Sequence, residues 1–450
     1  MRAAATRLDR PSPLPAHRVP LWLLLVPLPA AVGYGLAEGS APTLAALAAA
    51  ALIVLVLLFP RQTLLAGLAA VSLADVSIRG VPVGEILVAA VTLGLLVRIL
   101  AGDSSLKFEH PPAWLTFGFA LILYLLLASS VFNGALDGEA FRRFGHLAVG
   151  GMLAWLLAAR VVDPKMAAKG LVLGLLATGL IGLAEVTTGH SLVGGSNHGN
   201  RLSGWFGDPN VAGFYLVALG TAALGLISSK RAQLGLGAVL LVLVFATESR
   251  TALVAAAVVV AWVIASHNGY KWLPIVALVA CGVVAFSVPQ QLKEAGPFRD
   301  RGQSDWFRED VDRKTAERAA ASLLVGEGAA PALVAVQGGR FFPHNSYHAA
   351  VIEGGIFWLL AWITLLGSTL WKLVRANRRN VLLEAGIITV FVISLSLGET
   401  LFELPTMILV GLALAYLATD TRRNPQVSAR ALQPPGASRP APGWGAPATP

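Results

Sequence analysis

Long apolar runs separated by short polar connections are the dominant pattern of this chain. A helix that crosses lipid needs roughly 20 mostly apolar residues, because every backbone N–H and C=O must be paired inside the hydrocarbon. Runs of about that character lie at Pro20 to Ala37, Ala41 to Phe59, Gln62 to Val76, Val81 to Leu100, Pro112 to Phe132, His146 to Val162 and Ala167 to Val186. The series continues at Pro209 to Ser228, Gln233 to Thr247, Thr251 to Ser266, Trp272 to Val288, Tyr347 to Val374, Val381 to Leu397 and Leu404 to Thr419. Gln62 to Val76 is short and contains Asp75, so it fits a re-entrant segment as well as a span. The pattern predicts an all-α, polytopic membrane protein of about 12–14 transmembrane helices with one large loop outside the membrane.

Composition agrees: 56% of the 450 residues are hydrophobic, 13% are charged and the mean hydropathy is +0.69. The formal charge of +9 does not point to nucleic acid, because the Lys and Arg residues sit beside the apolar runs. Short cytoplasmic connections are enriched in such residues. Arg2, Arg7, Arg10 and Arg18 place the N-terminus inside, and alternation then puts Arg61, Arg98, Lys107, Arg160, Lys165, Lys169, Lys230, Arg231, Lys372, Arg375, Arg378, Arg379, Arg422 and Arg423 on the same side. The first run lacks a small-residue cleavage site and reads as a retained helix.

The expected organisation is a cytoplasmic segment at 1–19, a first helical group at 20–288, a large periplasmic loop at 289–345, a last helical group at 346–419 and a disordered cytoplasmic tail at 420–450, rich in Pro, Ala and Arg. Within the large loop, "SDWFREDVDRKTAERAAASLL" predicts a helix capped by Ser304, with Trp306, Val311 and Leu323 as apolar positions. Thr187 to Asp208 forms a second outward connection. The single cysteine, Cys281, excludes an intrachain disulfide and reads as apolar filler.

The chain contains no G-x-x-x-x-G-K-[ST] and no H-E-x-x-H, so nucleotide-driven transport and zinc catalysis lack their signatures. Three strings stand out where outward loops meet helices: "RLSGWFGDPNVAGFY", "ESRTALVAA" and "GGRFFPHNSYHAAVIEGGIF". In content and order they resemble the bacterial O-antigen ligase and polymerase superfamily of membrane glycosyltransferases. Arg201, Gly204, Phe206, Asp208, Pro209 and Asn210 are similar to its Arg…Gly…Phe…(Asp/Asn)-Pro-Asn string, Ser249-Arg250 to its Ser-Arg pair, and His344, Asn345, Glu353 and Gly354 to its His-Asn…Glu-Gly string. The resemblance covers roughly Leu21 to Thr419. The family's Pro…Gly-x-Gly stretch is scrambled here, in "LLVGEGAAPALVAVQGG".

The resemblance implies transfer of a glycan from a polyprenyl-diphosphate carrier to an acceptor hydroxyl on a glycan, lipid or protein, at the outer face of the bacterial inner membrane, with no metal and no cofactor. A diphosphate is already a good leaving group, so cations suffice to hold its charge, and the planar fork of Arg suits phosphate oxygens. Arg201 and Arg250 are the expected clamps, with Arg142 as a further phosphate contact. His344 is the expected base for the acceptor proton, with Glu353 supporting it. Asp208, Pro209, Asn210 and Asn345 are expected to support the site structurally, Asp208 as a helix cap before a proline.

Each role has a plainer rival. Arg201 and Arg250 would also sit at helix ends to reach lipid phosphates, and Arg142 and its neighbour Arg143 would also serve as loop charges. His344 competes with His348 one turn on; that pair has metal-ligand spacing but no third ligand. Glu353 at membrane depth would equally serve a structural bond. Glu399 and Glu403 are weaker candidates for sugar contacts. At the level of function, the other classes are a transporter or lipid-linked-oligosaccharide flippase, and a scaffold that uses its long loop for partners.

Overall fold

The computed structural model describes residues 68, 77–78, 81–103, 106, 108–161, 163–189, 201–267, 302–329, 332–398 and 400–423. Among these the chain is mostly helical. The helices are α1 (Val83–Leu100), α2 (Ala113–Phe132), α3 (Gly138–Ala158), α4 (Pro164–Thr188), α5 (Pro209–Leu226), α6 (Lys230–Ala246), α7 (Arg250–His267), α8 (Gly302–Ala321), α9 (Ser346–Arg375), α10 (Val381–Ile393) and α11 (Leu404–Arg423). Four of them, α2, α4, α5 and α9, are long and apolar enough to cross a membrane. Six more of the apolar runs coincide with the other described helices, α8 excepted. The runs at Pro20 to Ala37, Ala41 to Phe59 and Trp272 to Val288, all but Leu68 of Gln62 to Val76, Cys281, Glu399 and the N-terminal segment lie outside the described residues.

Local chemistry accounts for where these helices begin. Asp137, Asp163, Asp208, Ser229, Asn345 and Asn380 each accept a hydrogen bond from a backbone N–H in the first turn of the helix that follows, satisfying donors that have no partner within the helix. After Asp163 and Asp208 the first helical residue is proline, whose missing N–H costs nothing there. Several boundaries differ from the sequence expectation. Helix α3 starts at Gly138, ahead of the apolar run at His146, so Arg142 and Arg143 are helical rather than loop residues. Helix α8 starts at Gly302, so Ser304 lies inside its first turn rather than capping it. Helix α11 continues past Thr419 to Arg423, into the segment expected as tail.

Helix α5 is the most enclosed of the four membrane-length helices, packed against α4, α6, α7 and α10. Helix α3 packs along α11, where Gly411 lets the backbone come against that of Ala154. Helices α2 and α9 meet through Trp358 and Trp362, both fully buried, and Trp358 Nε1 donates to the carbonyl of Ile122 at 3.0 Å.

Outside this bundle, α8 pairs with a hairpin the sequence reading did not foresee. Strands β1 (Val334–Val336) and β2 (Gly339–Phe341) are joined by Gln337 and Gly338, both at positive φ, the requirement of a tight two-residue hairpin turn. Val311 of α8 packs with Val334 and Val336 in a small core of its own, flanked by Phe307. Trp306 and Leu323, expected as apolar anchors of the helix, are largely exposed.

The most consequential irregularity is in α9. At Gly355 the backbone turns to φ 75°, ψ −178°, breaking the helix beside Glu353. The groups released by the break are taken up by the chain between α8 and the hairpin. Glu327 N donates to Ile352 O at 2.6 Å, Gly328 N to Glu353 O at 2.9 Å, and Ile356 N to Leu323 O at 2.8 Å. Ser129 Oγ of α2 adds a second donor to Glu353 O at 3.0 Å. Broken backbone in a helix of membrane length is tolerated where protein re-satisfies its polar groups, as here. The approach is so close that a Cβ on Gly326 would stand 2.5 Å from Glu353 O, and one on Gly355 2.5 Å from Leu324 O. Gly326 and Gly328 both have positive φ, so residues 326–328 form a definite Gly-Glu-Gly turn against the break.

Candidate functional site

Two of the three singled-out strings, those bearing Asp208 and His344, line one cavity, and the string bearing Arg250 does not. The cavity has a volume of about 390 Å³, and its walls include Asp208, Asn210 and Tyr215 from the start of α5, Arg308 from α8, His344 from the loop before α9, and Thr400 and Glu403 from the turn before α11.

His344 is fixed from below by the segment that follows it. Asn345 caps α9 by accepting from the N–H groups of Tyr347 at 2.9 Å and His348 at 3.2 Å. Ser346 is buried; its N–H donates to Ser394 O at 2.8 Å and its hydroxyl lies 2.6 Å from Leu397 O. The carboxylate of Asp312 on α8 lies near the backbone N–H of His344. Burial pushes the imidazole pKa down to about 4, helped by the nearby Arg308 cation and opposed by Asp208. The ring is therefore neutral near pH 7 and able to accept a proton. His348 does not line this cavity.

Arg201 is placed behind the cavity wall. Its Nε donates to Thr247 O at 3.1 Å, and Nη2 lies 3.5 Å from both Asn210 Oδ1 and Glu248 O. Thr247 and Glu248 belong to the turn between α6 and α7, where Glu248 adopts φ 47° and Ser249 caps α7 by accepting from Ala252 N at 3.3 Å. Arg250 follows directly as the first residue of α7. Its neighbour Thr251 meets Ser396 with their hydroxyls 2.7 Å apart, next to the Leu397–Gly398 wall of the cavity. Arg201 thus binds the turn that Arg250 follows, and Asn210 links that turn to the cavity, which neither arginine lines. Asp208 is occupied as a cap, accepting from Asn210 N at 2.6 Å and Val211 N at 3.2 Å.

Glu353 and Arg142 lie elsewhere. Glu353 is fully buried at the α9 break and is clasped by Arg143, with Nη2 2.9 Å from Oε1 and Nε 3.1 Å from Oε2. Arg143 also stacks over the Phe402 ring, 4.5 Å from its centroid, so this pair backs the Thr400–Phe402 turn rather than the cavity. Arg142 is exposed, 3.9 Å from Glu85, on the rim of a second and more apolar cavity of about 240 Å³ between α1 and α3.

A histidine the sequence reading did not single out joins the two cavities. The buried His146 ring has Nδ1 3.4 Å from Glu85 Oε1 and Nε2 3.7 Å from Glu403 Oε2. Glu85 and His146 line the second cavity and Glu403 the first. His146, Glu85 and Arg308 are the participants missed from sequence, and Arg143, expected as a phosphate contact or loop charge, is instead the ion-pair partner of Glu353. The available signal was the rule that an ionisable residue in an apolar helix needs a partner, which matches Arg143 and His146 on α3 to buried carboxylates.

No family model matches the chain, and no curated protein matches it.

Proposed function

We propose that this chain is a metal-independent membrane glycosyltransferase of the O-antigen ligase or polymerase type, working at the outer face of the bacterial inner membrane. In this reading it moves a glycan from a polyprenyl-diphosphate carrier to an acceptor hydroxyl. The observation that carries the reading is the cavity in which His344, neutral at physiological pH, faces Asp208, Asn210 and Arg308, residues that come from separate strings of the sequence. Arg201, bonded to the turn that precedes Arg250, stands behind it.

In the proposed reaction the acceptor O–H gives its proton to the His344 imidazole. The freed oxygen pair forms a bond to the anomeric carbon of the donor sugar. The bond from that carbon to the carrier breaks, and its electron pair leaves on the diphosphate oxygen. Guanidinium groups hold the charge that develops there, which is the larger share of what such a site must do. Glu353, bound to Arg143, has the supporting role of keeping the wall behind Thr400 in place.

The break in α9 supports a second reading, because transporters and flippases build their sites from interrupted helices. Here the break is filled by residues 323–328, which favours the enzyme. Reconstitution with a lipid-linked glycan separates the readings. A new glycosidic bond identifies the transferase, scrambling of the lipid without bond formation identifies a flippase, and neither identifies a scaffold.

A further inference from the structure

Helix α8 lies outside the four membrane-length helices, yet one of its faces is turned to the cavity. Arg308 and Asp312 are four residues apart and so share a face. Asp312 lies near the backbone N–H of His344, and Arg308 lines the cavity within electrostatic reach of the imidazole. The other cations of α8 are engaged away from that face. Arg313 pairs with Asp310 and with Glu317, the latter at 3.0 Å, Lys314 pairs with Asp310 at 3.6 Å and donates to Ala335 O at 3.1 Å, and Arg318 pairs with Glu327 at 2.5 Å. Of the two carboxylates in the cavity wall, Asp208 is committed to the first turn of α5, and Glu403 lies 3.7 Å from His146 Nε2.

We propose that Arg308 is a substrate-binding residue that takes the phosphate oxygens of a diphosphate-bearing lipid, so that the extramembrane helix completes the site. The choice of diphosphate rests on the glycosyltransferase reading; the geometry of Arg308 does not. A guanidinium fork meets two phosphate oxygens at once and stays charged at any working pH. The location has a second effect. Arg308 repels the protonated form of His344, and a bound dianion offsets that repulsion, so donor binding makes His344 a stronger base. The charged and titratable groups that bear on His344 are Arg308 and Asp312 from α8, Asp208 from α5 and Glu403 before α11.

The test uses the full-length protein in lipid nanodiscs, titrated with inorganic pyrophosphate and with geranylgeranyl diphosphate. Arg308→Gln is expected to weaken both by roughly ten- to a hundredfold, the range for lost hydrogen bonds to a charged group, with Arg308→Lys in between. Arg313→Gln, which removes a charge from the same helix without facing the cavity, is expected to bind as the wild type does. In transfer assays Arg308→Gln should raise KM for the donor far more than it lowers kcat. Unchanged affinity in Arg308→Gln, or equal weakening in Arg313→Gln, overturns the inference and leaves the proposed function standing. Wild-type protein that binds neither probe overturns both. Binding that depends on Arg308 without any glycan transfer keeps Arg308 as a diphosphate ligand and rejects the transferase.

Discussion

Arg143 and Glu353, 210 positions apart in sequence, form a two-pronged ion pair where α9 breaks. Both side chains are largely or wholly removed from solvent. Removing one partner of a buried pair typically costs about 3–5 kcal/mol, because the other charge is left without compensation. Arg143→Gln and Glu353→Gln should each lower the melting temperature in detergent by many degrees, and the double variant should recover part of the loss. Single variants that melt like the wild type would show that the pair does not hold the break.

The position of His344 fixes a pH dependence. Its folded pKa lies near 4, below the ordinary value of about 6.5, so the ring stays neutral as pH falls through 6 and 5 and is protonated only as pH approaches 4. With little donor bound, transfer should therefore be flat from pH 8 to about 5 and fall below that. Bound donor should shift the fall upward. Initial rates across that range, in wild type and in Arg308→Gln, give the profile. A fall centred near 6.5 at low donor concentration contradicts the burial assigned to this ring.

His344→Ala should remove roughly 10² to 10⁴ of the rate while donor affinity is nearly kept, as expected for loss of a general base. His348→Ala should matter much less, since that side chain does not line the cavity. Single-turnover transfer with separately measured donor binding tests this. A dead His348→Ala beside an active His344→Ala would move the base one turn along α9.

The arginines should divide into two groups. Arg201→Lys keeps a charge but loses the fork that reaches Thr247 O and Asn210, and Arg250→Lys loses the same planar geometry. Both should lose most donor binding. Arg142→Lys, exposed beside Glu85, should behave as wild type. A strong loss in Arg142→Lys would place the diphosphate in the second cavity instead.

Sequence pattern made the helices and their starts legible because these depend on neighbours in the chain. Asp208 before Pro209 and Asn345 before Ser346 are local signals, and each caps a helix. Long-range pairing leaves no such trace. Of the two adjacent arginines, nothing local distinguishes Arg142, at a rim, from Arg143, inside the bundle. His146 was likewise read only as the edge of an apolar run, although it lies between Glu85 and Glu403. The hairpin was signalled by Gln337-Gly338 between short β-branched and aromatic stretches, but the signal is weak over three-residue strands.

The turn of Gly326 to Gly328 seated in the α9 break carries a consequence for the order of assembly. Those residues leave the ribosome before Glu353 and Gly355, yet they fill a gap that exists only once α9 has formed around it. The seat for residues 326–328 is therefore complete only once α9 has bent at Gly355. Gly355 suits that bend, since glycine alone takes a φ of +75° there without a Cβ meeting Leu324 O. The segment before the hairpin is thus a keystone: excising it should leave Ile352 O, Glu353 O and Ile356 N without these partners and destabilise the break that holds Glu353 beside Arg143.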